Sequence, residues 1–291
     1  MKTYSFIIPH HNTPELLNNL IQTIPQRDDI EIIVIDDNSD EGKKPVITRE
    51  DVKILHISVQ ESKGAGHARN IGLEHASGKW LLFADSDDFY EEDFINELDK
   101  YSNGNDDIIF FSAHILYDIN KREVNQERNY LERAFDKYNN SEHTLKDVRR
   151  LALTVNAPWN KMFRREFIEK IHARFEEIPM ANDAWFVKYS GSKAEKIEVI
   201  NKRMYYYVQY EKGITNSKRS LSHYYQTIDS SIRRNKIICN EGFLDLIKFP
   251  GFNERNVLRD FGRLAYLRLL LYKLRKDPAF IRSIIFKIFN K

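Results

Sequence analysis

The chain is poor in cysteine, in glycine and proline, and in long apolar runs, and each shortage closes off a class of protein. One cysteine in 291 residues, Cys239, can close no internal disulfide and builds no Cys-rich zinc site, so a reducing cytoplasm is the expected compartment. With 11 Gly and 8 Pro there is no collagen-like repeat and no Gly/Ser- or Pro-rich linker, so any domain boundary is a packed junction and not a flexible tether. The best apolar candidate for a membrane span, residues 264–272, is broken by Arg268 and flanked by further basic groups, which excludes a transmembrane helix there. The first residues, Met1-Lys2-Thr3-Tyr4, run straight into an apolar stretch that ends at Pro9 and read as a strand, not a signal sequence.

What remains is a globular composition, 42% hydrophobic and 30% charged, long enough to bury one large α/β domain with an appendage. Charge is spread unevenly. Residues 255–291 hold ten Lys or Arg against Asp260 and Asp277, a local excess of eight, while the whole chain carries +2; residues 1–254 therefore sum to −6. A basic tail on an acidic body predicts an anionic partner for the tail and cation-dependent chemistry in the body.

Short apolar runs alternate with helical patterns. Strands are expected over 4–8, 31–35, 52–57, 80–84 and 108–112, apolar on both faces and so part of a parallel or mixed sheet covered by helices. Thr13-Pro14-Glu15, followed by Leu16, Leu17, Leu20, Ile21 and Ile24, reads as an N-cap, a first-turn proline and a core stripe. Further helices are expected over 66–75 and 91–101, a surface excursion over 121–140, a late strand over 205–208, and helix from 221 onward. The β-α alternation predicts a Rossmann-like layer fold, in which ligands sit at the carboxyl ends of the strands.

Those strand ends carry the chemistry. Asp85-Ser86-Asp87-Asp88 is either an Asp-rich turn capping a helix or a site for Mg²⁺ or Mn²⁺, which relieve carboxylate repulsion with hard-oxygen coordination; the buried run before it delivers the acids rigidly to the sheet edge. Asp36-Asp37-Asn38-Ser39 is a second acidic end, suited to a base or a ribose and equally readable as a turn. In the stretch 63–72, Gly64 and Gly66 let backbone N–H groups approach a phosphate that Arg69 can pair with. His10 and His11 adjoin this edge, but neighbouring side chains on a strand diverge, so they form no two-His metal site.

Taken in order, Phe6-Ile7-Ile8-Pro9-x-x-Asn12, Asp36-Asp37-x-Ser39-Asp40, Gly66-x-Ala68-Arg69-Asn70-x-Gly72 and Asp85-Ser86-Asp87-Asp88 resemble the glycosyltransferase family 2 pattern. Ala157-Pro158-Trp159-Asn160-Lys161 and Tyr205-Tyr206-Tyr207 with Gly213-Ile214-Thr215 resemble its downstream blocks. The resemblance implies an α/β fold of GT-A type, a Rossmann-like mixed sheet flanked by helices, with a catalytic domain over 1–217 and a C-terminal helical extension over 218–291. It places Pro9, Asn12, Asp37, Ser39, Arg69 and Asp85 at the nucleotide sugar, with Asp37 facing the base. Asp87, with Asp85, would hold Mn²⁺ or Mg²⁺. Asp183 would be the catalytic base, beside Asn182 where the family usually has glutamate. Trp159 is a candidate to stack on an acceptor sugar, against a second reading as a buried aromatic ahead of a helix.

The implied reaction is a single inverting displacement. A metal would neutralise the departing nucleoside diphosphate while Asp183 takes the proton of the acceptor hydroxyl. The expectation is a metal-dependent glycosyltransferase using a nucleotide-sugar donor, UDP-linked, with a glycan or lipid-linked glycan acceptor in bacterial surface-polysaccharide assembly. The alternatives are a sugar-nucleotide nucleotidyltransferase, which would want a Gly-rich phosphate loop directly after the first strand, and a catalytically silent binder. In the tail, Phe280, Ile281, Ile284, Ile285 and Ile288 share one helical face and Arg282 and Lys287 another. That pattern fits packing on the body, or peripheral docking of 255–291 on the inner face of the plasma membrane. Nucleic acid is not expected as a partner, since the acidic body would repel it.

Overall fold

The computed structural model describes residues 2–117, 122–123, 130–210, 220–249 and 252–289. The front of the chain forms strands because both faces of its apolar runs are covered. β1 (Tyr4–His10) and β2 (Ile30–Asp37) are buried almost throughout. With β3 (Val52–Ile57) and β4 (Trp80–Phe83) they make a parallel block in the order β3-β2-β1-β4. β1 and β2 run to their acidic or histidine ends, further than expected, because each residue finds a register partner as far as His10 opposite Asp36.

Helix α1 (Pro14–Thr23) starts at its proline and buries Leu17, Leu20 and Ile21. Thr13 holds the N-cap position without a capping bond; its hydroxyl meets that of Ser86 at 3.1 Å. α2 (Ala65–His75) packs through small residues instead of a hydrophobic stripe. A Cβ on Gly72 would lie 2.3 Å from Ile7 Cγ2 and 2.9 Å from Ile35 Cδ1, so only glycine lets this helix settle on the sheet.

The second half turns the sheet mixed. Here lie β5 (Phe89–Tyr90), α3 (Phe94–Asp99), β6 (Ile108–Tyr117), β7 (Arg122–Glu123), α4 (Tyr130–Asn139), α5 (Leu145–Thr154), β8 (Lys161–Arg164), α6 (Arg165–Lys170), α7 (Ala184–Lys193) and β9 (Ile197–Gln209). β8 inserts antiparallel between β4 and β6, β9 runs parallel to β6, and β5 is antiparallel on β9. Three expectations change. α3 is shorter than 91–101, starting after Asp93 at φ 57°. β6 is ten residues long, its second half pairing with β9 beyond a bulge at Ser112. The surface excursion over 121–140 contains α4, whose Leu131 and Phe135, one turn apart, are buried in the main core.

From 221 onward the chain is helical, as expected: α8 (Leu221–Asn240), a 3-10 turn at Leu244–Leu246, α9 (Glu254–Lys276) and α10 (Pro278–Phe289). Gly262, at φ 77°, kinks α9. Two small apolar clusters hold these helices, one of Tyr224, Ile228, Val257 and Leu269, the other joining Leu153 to Ile238, Phe243, Ile247 and Ala279. The expected boundary at 217/218 and the Gly213-Ile214-Thr215 block lie outside the described residues. Among the described residues no helix is long and apolar enough to cross a membrane.

Candidate active site

Because β1, β2 and β4 are parallel, their carboxyl ends open on one edge. At the end of β2 the two aspartates take opposite roles. Asp36 is almost wholly buried and saturated: Oδ1 accepts from His10 Nδ1 at 2.9 Å and Ser39 Oγ at 2.5 Å, and Oδ2 from His56 Nδ1 at 3.1 Å. Burial alone would raise its carboxyl, but the bonds from Ser39, His10 and His56 outweigh that and hold it below the usual range. Asp37 accepts the Gly64 N–H through Oδ2 at 2.9 Å, while its buried Oδ1 has no partner. An unpaired buried carboxylate oxygen is a costly feature that a ligand donor relieves.

Asn12 and Ser39 brace the loops after β1 and β2 against each other. The Asn12 N–H donates to Ser39 Oγ at 2.8 Å, and Asn12 Oδ1 accepts the Asp40 N–H at 2.8 Å. Both side chains thus hydrogen-bond within the protein, at the edge where the nucleotide contact is expected of them. His10 is spent as well, its Nδ1 on Asp36 and its Nε2 accepting the Thr13 N–H at 3.2 Å. Pro9 lies buried in β1 opposite Ile35.

The acidic segment after β4 is held by one tyrosine. Tyr205 OH accepts the Asp85 N–H at 3.0 Å and donates to Asp88 Oδ2 at 2.8 Å; Asp88 Oδ1 accepts the Val208 N–H at 2.7 Å. Asp88, 2% exposed, is therefore an anchor for β9 and not a metal ligand. Burial, then the charges of Asp87 and Asp85, push its carboxyl well up. Asp87 is partly exposed, and burial followed by the Asp85 charge pushes its carboxyl up to about 6. Asp85 and Asp87 are the pair that could hold a cation; among the described residues no group of three or more His, Cys, Asp and Glu forms a ready-made cage.

Arg69 ties this pair to the far wall. Its Nη2 donates to Asp85 Oδ1 at 2.5 Å and its Nη1 to Asn182 Oδ1 at 2.9 Å, with the guanidinium 5.5 Å from the Phe175 ring centroid. Its buried Nε has no partner. Asn182 thus takes the neutral-acceptor place beside Arg69. Asp183 follows as the residue before α7, with no capping bond from its side chain. Burial raises its carboxyl, Arg69 draws it down and Asp85 adds to the rise. The structure brings Asp85, Asp87, Arg69 and Asp183 into one electrostatic neighbourhood.

Other supports carried no sequence signal of their own. The Glu176 N–H donates to the Asn182 carbonyl at 3.0 Å, and the Glu176 carboxylate is gripped from α8 by Ser230 and, at 2.9 Å, by Arg233 Nε. Asn70, quoted only as part of a motif, clamps the Phe175 backbone through both amide atoms at 2.8 and 3.0 Å. Lys161 is wholly buried, donating to Ala157 O and to Asn160 Oδ1, 4.6 Å from the Phe110 ring centroid. Trp159 is 6% exposed and stacks on Tyr205 and Tyr207, centroids 4.9 and 5.2 Å away. It fits the second reading, a buried aromatic, and leaves little ring face for an acceptor sugar.

The mixed α/β sheet flanked by helices is the fold of a GT-A type glycosyltransferase. The chain belongs to Glycosyl transferase family 2, whose model matches residues 5–172. It is 25% identical over 255 residues to glycosyltransferase GlyA of Streptococcus pneumoniae serotype 4, covering 81% of this chain and 35% of that protein. It is 25% identical over 222 residues to poly(ribitol-phosphate) beta-N-acetylglucosaminyltransferase TarS of Staphylococcus aureus strain Mu50, covering 73% and 36%. The chain thus spans about a third of the length of these two relatives. The crystal structure of S. aureus TarS 1-349 in complex with UDP-GlcNAc superposes with a TM-score of 0.69 at 20% identity, covering 96% of this chain and 82% of the other.

Proposed function

We propose that this glycosyltransferase is metal-dependent and inverting, and moves a sugar from a UDP-linked donor to a glycan or lipid-linked glycan acceptor in bacterial cell-surface polysaccharide assembly. The observation that carries the reading is the Arg69 bridge, which joins the carboxylate Asp85 to the loop that presents Asp183. TarS, a relative that acts on poly(ribitol-phosphate) and was crystallised with UDP-GlcNAc, supports the donor type and the acceptor class.

In this reading residues 1–217 are the catalytic domain. Asp37 offers its unpaired Oδ1 to the base, Pro9 and Arg69 flank the nucleotide, and Asp85 serves metal and ribose. Asp85 and Asp87 fit Mn²⁺ or Mg²⁺ by the chemistry of their oxygens, and burial followed by the Asp85 charge lifts Asp87 to about 6, a strain that a cation relieves. When bound, the cation supplies charge neutralisation for a departing diphosphate. Asp183 accepts the proton of the attacking hydroxyl, its raised carboxyl making it a stronger base than an exposed aspartate. The protein works in the cytoplasm, with 255–291 meeting the inner face of the plasma membrane.

The test is product analysis with UDP-sugars and Mn²⁺. UDP release supports the transferase, pyrophosphate release would make the protein a nucleotidyltransferase, and neither would leave a silent binder. The nucleotidyltransferase is disfavoured because the loop after β1, His10 to Asn12, spends its polar groups on the β2 loop and Thr13.

A further inference from the structure

The last helix is inside out. On α10 the residues turned to the protein are small or shielded: Ala279 and Ser283 are buried, Ser283 Oγ donates to the Leu244 carbonyl at 2.9 Å, and Phe280 stacks on Phe249 at 4.1 Å. Its isoleucines point away. Ile281, Ile284, Ile285 and Ile288 are 41–64% exposed and, at spacings of three and four, form one stripe. α9 repeats the arrangement beyond its kink at Gly262, where Leu264, Leu267, Leu271 and Leu274 are 39–64% exposed. Two rows of exposed aliphatic side chains, one on each of the last two helices, exceed what scattered surface leucines explain.

Charge decides what covers them. The α9 stripe is edged by exposed Arg263, Arg268 and Arg275, and the α10 stripe by exposed Arg282 and Lys287. Beyond residue 260 the sequence has a single acidic residue, Asp277; it is buried, accepting from Asn235 Nδ2 at 2.7 Å. A second copy of this surface would press arginine against arginine with no carboxylate to pair. We infer that the Leu264–Leu274 and Ile281–Ile288 stripes insert into the interface of an anionic bilayer, with the flanking cations on the phosphate headgroups. This deepens the membrane contact proposed above, giving it an apolar part that the charge excess alone does not predict.

Sedimentation with sucrose-loaded vesicles of phosphatidylcholine mixed with phosphatidylglycerol, and of phosphatidylcholine alone, tests it. Full-length protein should pellet with the anionic vesicles. Replacing the exposed pair by Ile284→Asn and Ile285→Asn should abolish pelleting at every salt concentration. Arg282→Gln with Lys287→Gln should weaken it on the order of thirty-fold and flatten its salt dependence. UDP-sugar hydrolysis in solution should be unchanged in both variants, which separates this inference from the catalytic reading. Binding lost with the cations but kept with the asparagines would overturn insertion and leave a purely electrostatic contact. Absence of vesicle binding, with a dimer in sedimentation velocity that the asparagines dissociate, would overturn both and assign the stripes to a second copy.

Discussion

The guanidinium of Arg69 and the carboxylate of Asp85 stand 2.5 Å apart, and the same arginine reaches Asn182 on the opposite wall. Burial raises the carboxyls of both Asp87 and Asp183, and Arg69 draws each partly back down. Arg69→Gln should raise both carboxyls, moving the acid limb of the kcat/KM profile to higher pH and weakening UDP-sugar binding. Leaving Asp85 without its partner should also cost about 2–4 kcal/mol in urea unfolding. A pH–rate profile identical to that of the parent enzyme would remove Arg69 from this role.

Asp87 should behave as a strained group that metal relieves. Its folded carboxyl titrates at about 6, above its unfolded value, so ionising it opposes folding. The penalty is fully present above pH 6 and is lost as pH falls through that value toward the ordinary carboxylate range. Asp87→Asn should therefore stabilise the metal-free protein by on the order of 1–2 kcal/mol at neutral pH, the gain shrinking below about 6. The same variant should lose Mn²⁺-dependent UDP-sugar binding in calorimetry.

Asp88, one residue on, should do the opposite. Asp88→Ala strips partners from the Tyr205 hydroxyl and the Val208 N–H, both in the core, and should cost about 2–4 kcal/mol in thermal or urea unfolding. If Asp88 were instead a metal ligand, its loss would appear in Mn²⁺ affinity with stability nearly unchanged.

The contrast between these neighbours marks where sequence stops being legible. The strand ends, the acidic segment and the helix from 14 could be read because hydrophobic runs and their punctuation are local signals. The partition of labour inside Asp36-Asp37 and Asp85 to Asp88 could not, since it depends on His10, His56, Tyr205 and Val208 arriving from other strands. β8 carries no sequence signal because 161–164 has four residues and no alternation, and its place between β4 and β6 is purely tertiary. The sidedness of α10 was invisible for a related reason: periodicity gives a helix two faces without saying which one meets the body. The motif points Asn12 and Ser39 to the ligand, and the three-dimensional arrangement adds that they are each other's partners.

Asp183→Asn should abolish transfer while sparing the donor site. The amide cannot take a proton, so turnover should fall by about 10²–10⁴, whereas UDP-sugar affinity in calorimetry should stay within the error of the parent. In the wild-type enzyme, rate should drop as pH is lowered through the raised carboxyl, because protonation disables the base. Full turnover in the variant would transfer the role elsewhere.

Gly66 offers a test of the loop that carries Asp183. A Cβ there would lie 2.1 Å from the Glu176 carbonyl oxygen and 3.0 Å from Asn182 Cβ. Backbone cannot swing aside as a side chain can, and Glu176 is fixed besides by the Asn182 carbonyl and by Ser230 and Arg233 of α8. Gly66→Ala must then push α2 and the 176–182 segment apart, at about 1–3 kcal/mol. The displacement separates Arg69 from Asn182 and shifts Asp183, so kcat should fall more steeply than the stability loss explains, at a temperature where the variant is fully folded. A second-site change on α8, Arg233→Met, frees the Glu176 carboxylate and lets the loop retreat. It should restore part of kcat to the Gly66→Ala enzyme while lowering that of the parent, a reversal of sign that independent structural damage at two sites would not give.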